Sequence, residues 1–159
     1  MKIGGHGLRE HIRFLSPLFA FIGAVWLLRL MLAAAGVSPK IVYASSVMGA
    51  VTLSVFLAVL LIHIRHYGGY VNVVAASFLL SAWAQLLIVM AVIFAVISGT
   101  NNIFTAPAYE TPGDDAYHLR HIIVHLTIGL GAETLFGAAM GCFLLWMFRM
   151  LIPERPQPR

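Results

Sequence analysis

The chain has 159 residues, of which 60% are hydrophobic and only 10% are charged, and its mean hydropathy is +0.91. Soluble domains carry about 25% charged residues, so this composition excludes an ordinary soluble protein and predicts an integral membrane protein. The length allows about four membrane-spanning helices and excludes a separate soluble domain. The net charge is +4, but the basic residues are scattered at the ends of apolar runs, which excludes a nucleic-acid surface.

Four long apolar runs divide the chain. We predict transmembrane helices over residues 14–36, 40–64, 71–98 and 118–152. The fold class that follows is all-α: a single domain over residues 1–159, built as an antiparallel bundle of four transmembrane helices.

The chain before the first span has the pattern of a helix lying on the membrane surface. Residues 5–15 combine basic residues with apolar residues at helical spacing, which is typical of a short amphipathic segment among the lipid headgroups. Ser16 and Pro17 then predict the start of the spanning helix, because serine can cap free N–H groups and proline needs no donor in the first turn.

The connections differ in character. Gly68 and Gly69 predict a tight turn between the second and third spans. Residues 99–117 are rich in turn formers and carry Asp114 and Asp115, which predicts an exposed outer loop. The tail, residues 153–159, is polar and rich in proline, so we expect it to be disordered.

The basic residues set the orientation. When four spans are threaded through a bilayer, most of them fall on one face: Lys2, Arg9, Arg13, Arg65, Arg149, Arg155 and Arg159. Only Lys40 and Arg120 remain at the other membrane face. Since cytoplasmic loops carry the excess of basic residues, we expect both termini in the cytoplasm and the chain in a bacterial inner membrane.

Small residues at four-residue spacing predict where helices touch, because helices in lipid associate through close backbone contact. The pairs are Ser45 with Gly49, Ser46 with Ala50, Ser77 with Ser81, and Gly137 with Gly141. The spacing does not distinguish a seam inside the bundle from an interface with another subunit.

Four of the polar residues within the apolar runs are candidates for a role inside the membrane. A rise of 1.5 Å per residue places Glu133, Gln85 and Ser54 at roughly the same depth, about 20 Å from the outer ends of their helices. They predict a polar layer that either clasps the bundle or relays protons or ions. Arg29 is about 10 Å below the outer end of its helix. It either extends to the headgroups or pairs with Asp115 or Glu133.

A stripe of potential metal ligands precedes the middle of the fourth span. His118, His121 and His125 share one helix face, and Asp114 or Asp115 could add a carboxylate. His121 and His125 have the i, i+4 spacing that allows two imidazoles to bind a divalent transition metal. Haem b is a second possibility, with Met31 or Met48 as the opposite ligand. The remaining alternatives are a pH sensor and ordinary interfacial histidines.

These patterns leave three hypotheses for function. The first is a non-catalytic accessory or structural subunit, packed against other membrane subunits or copies of itself. The second is a haem- or metal-binding redox protein that uses the histidine stripe. The third is proton or ion conduction through Glu133 and Gln85. No phosphate-binding loop, HExxH motif or serine nucleophile turn occurs in the chain, so we predict no catalytic residues.

Overall fold

The computed structural model describes residues 2–100, 102–105 and 117–151. The predictions for Asp114, Asp115 and residues 153–159 lie outside this part of the chain. The described elements, in chain order, are strands β1 (Lys2–Ile3) and β2 (His6–Gly7), helices α1 (Leu8–Ala34), α2 (Pro39–Ala44), α3 (Val47–Ile64), α4 (Tyr70–Ser98) and α5 (Tyr117–Val124), a π-helical segment (His125–Gly129), and helix α6 (Leu130–Leu151).

Four helical segments are long and apolar enough to cross a membrane, as the sequence predicts. They are Leu8–Ala34, Pro39–Ile64, Tyr70–Ser98 and His118–Leu151, and the last of these is called the fourth segment below. Each segment has 26 residues or more, and roughly 20 suffice for a bilayer. The all-helical architecture is therefore confirmed.

The first helix begins earlier than the Ser16–Pro17 pattern predicts. It starts at Leu8, so Pro17 lies inside it. Proline has no N–H to donate to the carbonyl four residues before it. The Ser16 hydroxyl donates instead to that carbonyl, on Arg13, at 2.9 Å. Residues 8–15, predicted as part of a separate surface segment, are thus continuous with the helix.

The second segment is interrupted. Helix α2 ends at Ala44 and α3 begins at Val47. Ser46 caps the new helix, because its hydroxyl accepts a hydrogen bond from the Gly49 N–H at 3.3 Å. Gly49 is exposed, and a Cβ there would contact only Ser46, so Gly49 packs against no other helix within the described part of the chain. Its N–H serves the start of α3, and a contact of the Ser45–Gly49 pair with another subunit stays a prediction.

Helices α3 and α4 form the centre of the bundle. Helix α4 packs against α1, α3 and α6, and α3 packs against the same two outer helices. The largest fully buried side chains come from all four segments and include Leu15, Ile22, Ile62, Leu80 and Leu145. The core is therefore a continuous apolar layer around the α3–α4 pair.

Two glycines allow α6 to approach this central pair. A Cβ on Gly141 would lie 2.7 Å from Val73 Cγ1, and one on Gly137 would lie 3.4 Å from the Ser77 side chain. Ser77 and Ser81 are fully buried on α4. The predicted Gly137–Gly141 seam is thus occupied by helices of this same chain.

Strands β1 and β2 pair in antiparallel orientation and form the N-terminal hairpin. Polar contacts hold this hairpin, the turn after α3 and the end of α6 together at one end of the bundle. Asn72 Nδ2 donates to the Gly4 carbonyl at 3.3 Å, and Asn72 Oδ1 accepts from the Gly69 N–H at 3.1 Å. Arg149 Nη2 donates to the Gly68 carbonyl at 3.3 Å. The first residues and the end of α6 therefore lie at the same end.

Candidate functional site

A chain of hydrogen-bonded side chains joins α4 to the fourth segment. Gln85, on α4, donates from Nε2 to Glu133 Oε2 at 3.0 Å. Its Oε1 lies 2.7 Å from His125 Nδ1. His125 Nε2 lies 3.0 Å from His121 Nε2. These four residues, His121, His125, Gln85 and Glu133, are called the polar chain below.

The π-helical segment aligns the members of the polar chain that lie on the fourth segment. His125 and Glu133 are eight residues apart, which in a regular α-helix would separate their directions by about 80°. A π-helix has more residues in each turn, so each of its residues rotates the chain less. The segment His125–Gly129 therefore turns Glu133 towards the face of His125, where both reach the same amide.

Gly129 makes room for that amide. A Cβ at this position would lie 3.3 Å from Gln85 Oε1 and 3.4 Å from Gln85 Nε2. Such a contact is tighter than ordinary van der Waals packing. Glycine at the end of the π-helical segment thus lets Gln85, which is only 4% exposed, reach both neighbours.

The hydrogen bonds of the polar chain all run in one direction. A carbonyl oxygen can only accept, so His125 Nδ1 donates to Gln85 Oε1. In neutral His125, Nε2 is then the acceptor, and His121 Nε2 is the donor. Gln85 Nε2 donates in turn to Glu133. Donors therefore point from His121 towards Glu133.

The same four side chains can also form hydrogen bonds that all run in the opposite direction, from Glu133 to His121; each direction is called a polarity of the polar chain. A half-turn of the Gln85 amide exchanges its oxygen and nitrogen, which have nearly the same shape. Protonated Glu133 would then donate to Gln85, Gln85 to His125, and His125 to His121. In this second arrangement Glu133 is protonated and each imidazole carries its proton on the other ring nitrogen, whereas in the first Glu133 only accepts.

A cavity continues the site beyond Glu133. It has a volume of about 70 Å³ and lies between α3 and α6, from Glu133 and Thr52 at one end to Leu144 at the other. A water molecule needs roughly 15 Å³ of such space, so a few fit. Glu133 and Thr52 are its polar lining residues, and we expect water to occupy it only transiently.

The structure brings some predicted polar residues together and leaves others apart. Ser54 is fully buried, but its hydroxyl has no hydrogen-bond partner among the described residues. The sequence predicted that Ser54 would join Gln85 and Glu133 in one polar layer, but the residue that does so is His125. Counting residues from the helix ends placed His125 nearer the outer end, so reasoning from the sequence missed its contact with Gln85.

Arg29 contacts aromatic rings and does not pair with Glu133. Its Cζ lies 5.2 Å from the centre of the Phe104 ring and 5.8 Å from that of Tyr43. Within the described part of the chain, the one ion pair is between His6 and Glu10. The alternative in which Arg29 reaches Glu133 is therefore corrected: aromatic faces contact the guanidinium instead.

The histidine stripe holds no recognisable metal centre within the residues that are described. No group of three histidine, cysteine or acidic side chains there is close enough to hold a metal ion. Met31 and Met48, the suggested haem ligands, are 61% and 62% exposed. Both side chains therefore lie mainly on the surface of the bundle, whereas His125 contacts Gln85 and His121. A contribution from Asp114 or Asp115 lies outside the described residues.

Comparisons of the chain with protein-family models, with curated proteins and with solved structures find no significant match. The function of this chain is therefore inferred from the geometry of its candidate site.

Proposed function

We propose that this chain is an integral protein of a bacterial inner membrane, with both termini in the cytoplasm. The four long apolar segments support insertion. The orientation is supported by Arg13, Arg65 and Arg149, which belong to the end of the bundle that carries the N-terminal hairpin, whereas Lys40 and Arg120 belong to the other end. Basic residues are enriched on the cytoplasmic side of membrane proteins.

Cysteine labelling tests this orientation. Arg65→Cys and Lys40→Cys variants, each in a Cys142→Ser background, are exposed in intact cells to a thiol reagent that does not cross membranes. We expect labelling at position 40 in intact cells and at position 65 only after the cells are opened. Labelling of both positions from the outside would contradict the proposed topology.

We further propose that the protein transfers protons across the membrane. The observation that carries this proposal is the continuous polar chain, in which a buried carboxyl is connected to two imidazoles through one amide. Ionisable residues within a membrane are costly, and they mark proton pathways when they are linked in this way. Neither a metal site nor a packing seam requires the amide to connect the two kinds of acid–base group.

The polar chain and the cavity together cover most of a bilayer. From His121 to Glu133 the helix rises about 18 Å, and from Glu133 to Leu144 about 16 Å more. The hydrocarbon core of a bilayer is about 30 Å thick. A proton therefore has titratable or hydrogen-bonding groups in the outer half and space for water in the inner half.

The polar chain suggests how transfer occurs. A proton arriving at His121 displaces one along the two imidazoles to His125. His125 Nδ1 then gives a proton to Gln85 Oε1 while Gln85 Nε2 gives one to Glu133, which leaves Gln85 as its imidic acid tautomer. A half-turn of this group lets the next proton leave through its oxygen and restores the amide. Glu133 then holds the proton until water in the adjacent cavity carries it onward. Because a rotation of the Gln85 side chain and transient hydration are both required, we expect slow transfer, unlike that of an open pore.

Proton flux into liposomes tests this function. Purified protein is reconstituted with a pH-sensitive dye inside, and a potassium gradient with valinomycin drives proton entry. We expect flux above that of protein-free liposomes, and we expect Glu133→Gln to remove it, because the amide keeps the shape but does not titrate. His125→Ala should lower flux at least about tenfold, since acid–base groups contribute such factors.

Glu10→Gln is the matched control. Glu10 is the other described acidic residue; it lies at the first turn of α1 and accepts from the Gly7 N–H, outside the polar chain. Its variant should retain wild-type flux. Wild-type protein that is no more permeable than empty liposomes, or a Glu133→Gln variant with full flux, would refute proton transfer.

The hypothesis of a purely structural subunit has less support. Its argument depended on small-residue seams free for a partner, but Gly137 and Gly141 contact α3 and α4 of the same chain. Association with other subunits or further copies stays a prediction.

A further inference from the structure

The second polar feature of the molecule lies at the opposite end of the bundle from His121. A cleft of about 390 Å³ opens between the first turns of α1 and the chain that leaves α3. It is called the basic cleft below. Its charged lining residues are Arg13 and Arg65, with His6 and Glu10, and its aromatic residues are Phe14 and Tyr67. The polar chain does not include any of these residues.

Within the described residues, the two arginines of the basic cleft have no acidic partner. Across the described residues no carboxylate lies within 4.0 Å of either guanidinium, and both side chains are exposed. Glu10, the carboxylate of the cleft, is already engaged: it accepts from the Gly7 N–H at 2.6 Å and lies 3.7 Å from His6 Nδ1. The cleft therefore presents two cationic groups to an anion.

Tyr67 adds a buried hydrogen-bond donor. Its ring is stacked between those of His6 and Phe14, each with a centroid distance of 4.0 Å. Its hydroxyl is buried and has no hydrogen-bond partner among the described residues. Burial, followed by the charge of Glu10, raises the pKa of this phenol above its usual value. It thus stays protonated and able to donate at neutral pH.

The basic cleft changes from polar to apolar along α1. Glu10, Arg13, Phe14 and Pro17 follow one face of the helix at helical spacing. The charged groups stand at the end of the bundle, and Phe14 and Pro17 lie up to about 10 Å nearer its middle. A phospholipid has the same order of groups, with an anionic phosphate at the surface and hydrocarbon below it.

We propose that the basic cleft binds the phosphate headgroup of an anionic phospholipid, which Arg13 and Arg65 hold through charge-assisted hydrogen bonds. Guanidinium groups bind phosphate oxygens in a bidentate manner. Basic pockets between helices at the cytoplasmic side of a membrane are suited to such headgroups. The inference depends on the membrane insertion proposed above, but not on proton transfer.

Native mass spectrometry of the purified protein tests the inference by titration with phosphatidylglycerol or with phosphatidylcholine of the same acyl chains. Each arginine near anionic lipid contributes about a fivefold gain in affinity. We expect wild-type protein to prefer phosphatidylglycerol about thirtyfold. The Arg13→Gln/Arg65→Gln double variant should lose this preference, whereas Tyr67→Phe should weaken the binding of both lipids about fivefold, because the phosphate of either lipid can accept from the phenol.

Arg9→Gln is the matched control, because Arg9 lies on the same first turns of α1 but does not line the basic cleft. It should retain the preference to within about twofold. Equal binding of the two lipids by wild-type protein, or an equal loss in Arg9→Gln and in the double variant, would overturn a specific site.

Competition by inorganic phosphate or glycerol 3-phosphate distinguishes the sources of phosphate. If either anion displaced the lipid when present at the same concentration, the cleft would be a site for a free anion and the lipid assignment would be overturned. Resistance of each variant to carbonate extraction from vesicles confirms insertion independently. Insertion with no lipid preference refutes this inference alone, and the double variant should keep wild-type proton flux.

Discussion

The two ends of the bundle hold their polar side chains in different ways. In the polar chain, side chains bond to one another, and three of the four residues titrate. At the opposite end, Asn72, Arg149 and His11 bond to backbone carbonyls. Backbone carbonyls neither gain nor lose protons near neutral pH. The polar chain therefore supports the proposed proton relay, whereas the hydrogen bonds of Asn72, Arg149 and His11 hold backbone segments together.

The largest expected effect comes from replacing Gln85, because this residue joins the imidazoles to the carboxyl. Gln85→Leu preserves the approximate side-chain volume but interrupts the polar chain. We expect proton flux to fall at least about tenfold, and unfolding to become easier by about 1 kcal/mol, since hydrogen bonds between membrane helices contribute little. Liposome flux and thermal unfolding in detergent measure the two effects.

Ser54→Ala is the control for that variant. Ser54 is as deeply buried as Gln85, but its hydroxyl has no partner among the described residues. Its loss should leave both flux and stability within measurement error. Equal effects of the two substitutions would show that buried polarity in general, and not the polar chain, controls flux.

A second prediction concerns the close packing of α6 against α3 and α4. Gly141→Ala introduces a Cβ 2.7 Å from Val73 Cγ1 and 3.1 Å from Val59 Cγ2. We expect destabilisation of about 1–3 kcal/mol, the usual cost of an overpacked core. Gly131→Ala, where nothing lies within 4 Å of the new Cβ, should be neutral or stabilising. Thermal unfolding in detergent would contradict this prediction if both variants behaved alike.

The smallest expected effect is at the end of the bundle where side chains bond to backbone carbonyls. Asn72→Ala removes the bonds to Gly4 and Gly69, and we expect a loss of about 1 kcal/mol with unchanged proton flux. Hydrogen exchange should increase in the N-terminal hairpin. A variant that lost flux while it remained folded would show that this end takes part in transfer.

Local sequence patterns predicted the long apolar segments but misplaced one helix start. Ser16 and Pro17 are typical of a first turn, yet the helix runs from Leu8 through both. The pattern is ambiguous because a serine hydroxyl can accept from a free N–H or donate to a carbonyl that proline leaves unpaired. In this chain the first turns of α1 precede Ser16 and supply the Arg13 carbonyl to which its hydroxyl donates.

Only part of the candidate site could be predicted. Counting residues from the helix ends placed Gln85 and Glu133 at the same depth, and in the structure Gln85 Nε2 lies 3.0 Å from Glu133 Oε2. It did not identify His125, because the count assumes regular α-helical geometry and the chain changes to a π-helix there. Gly129 was the available signal, because a glycine leaves room for a side chain from a neighbouring helix, here that of Gln85. The sequence alone does not show which helix that is.

The number of apolar helices, their approximate lengths and the bias of basic residues to one end follow from the order of residues along the chain, because hydrophobic length and charge placement are properties of each segment by itself. Which polar side chains meet depends on the rotation and neighbours of each helix. Helices that are apolar on nearly every face do not encode that rotation in their hydrophobic pattern. Close packing at Gly129, Gly137 and Gly141 decided it in three dimensions.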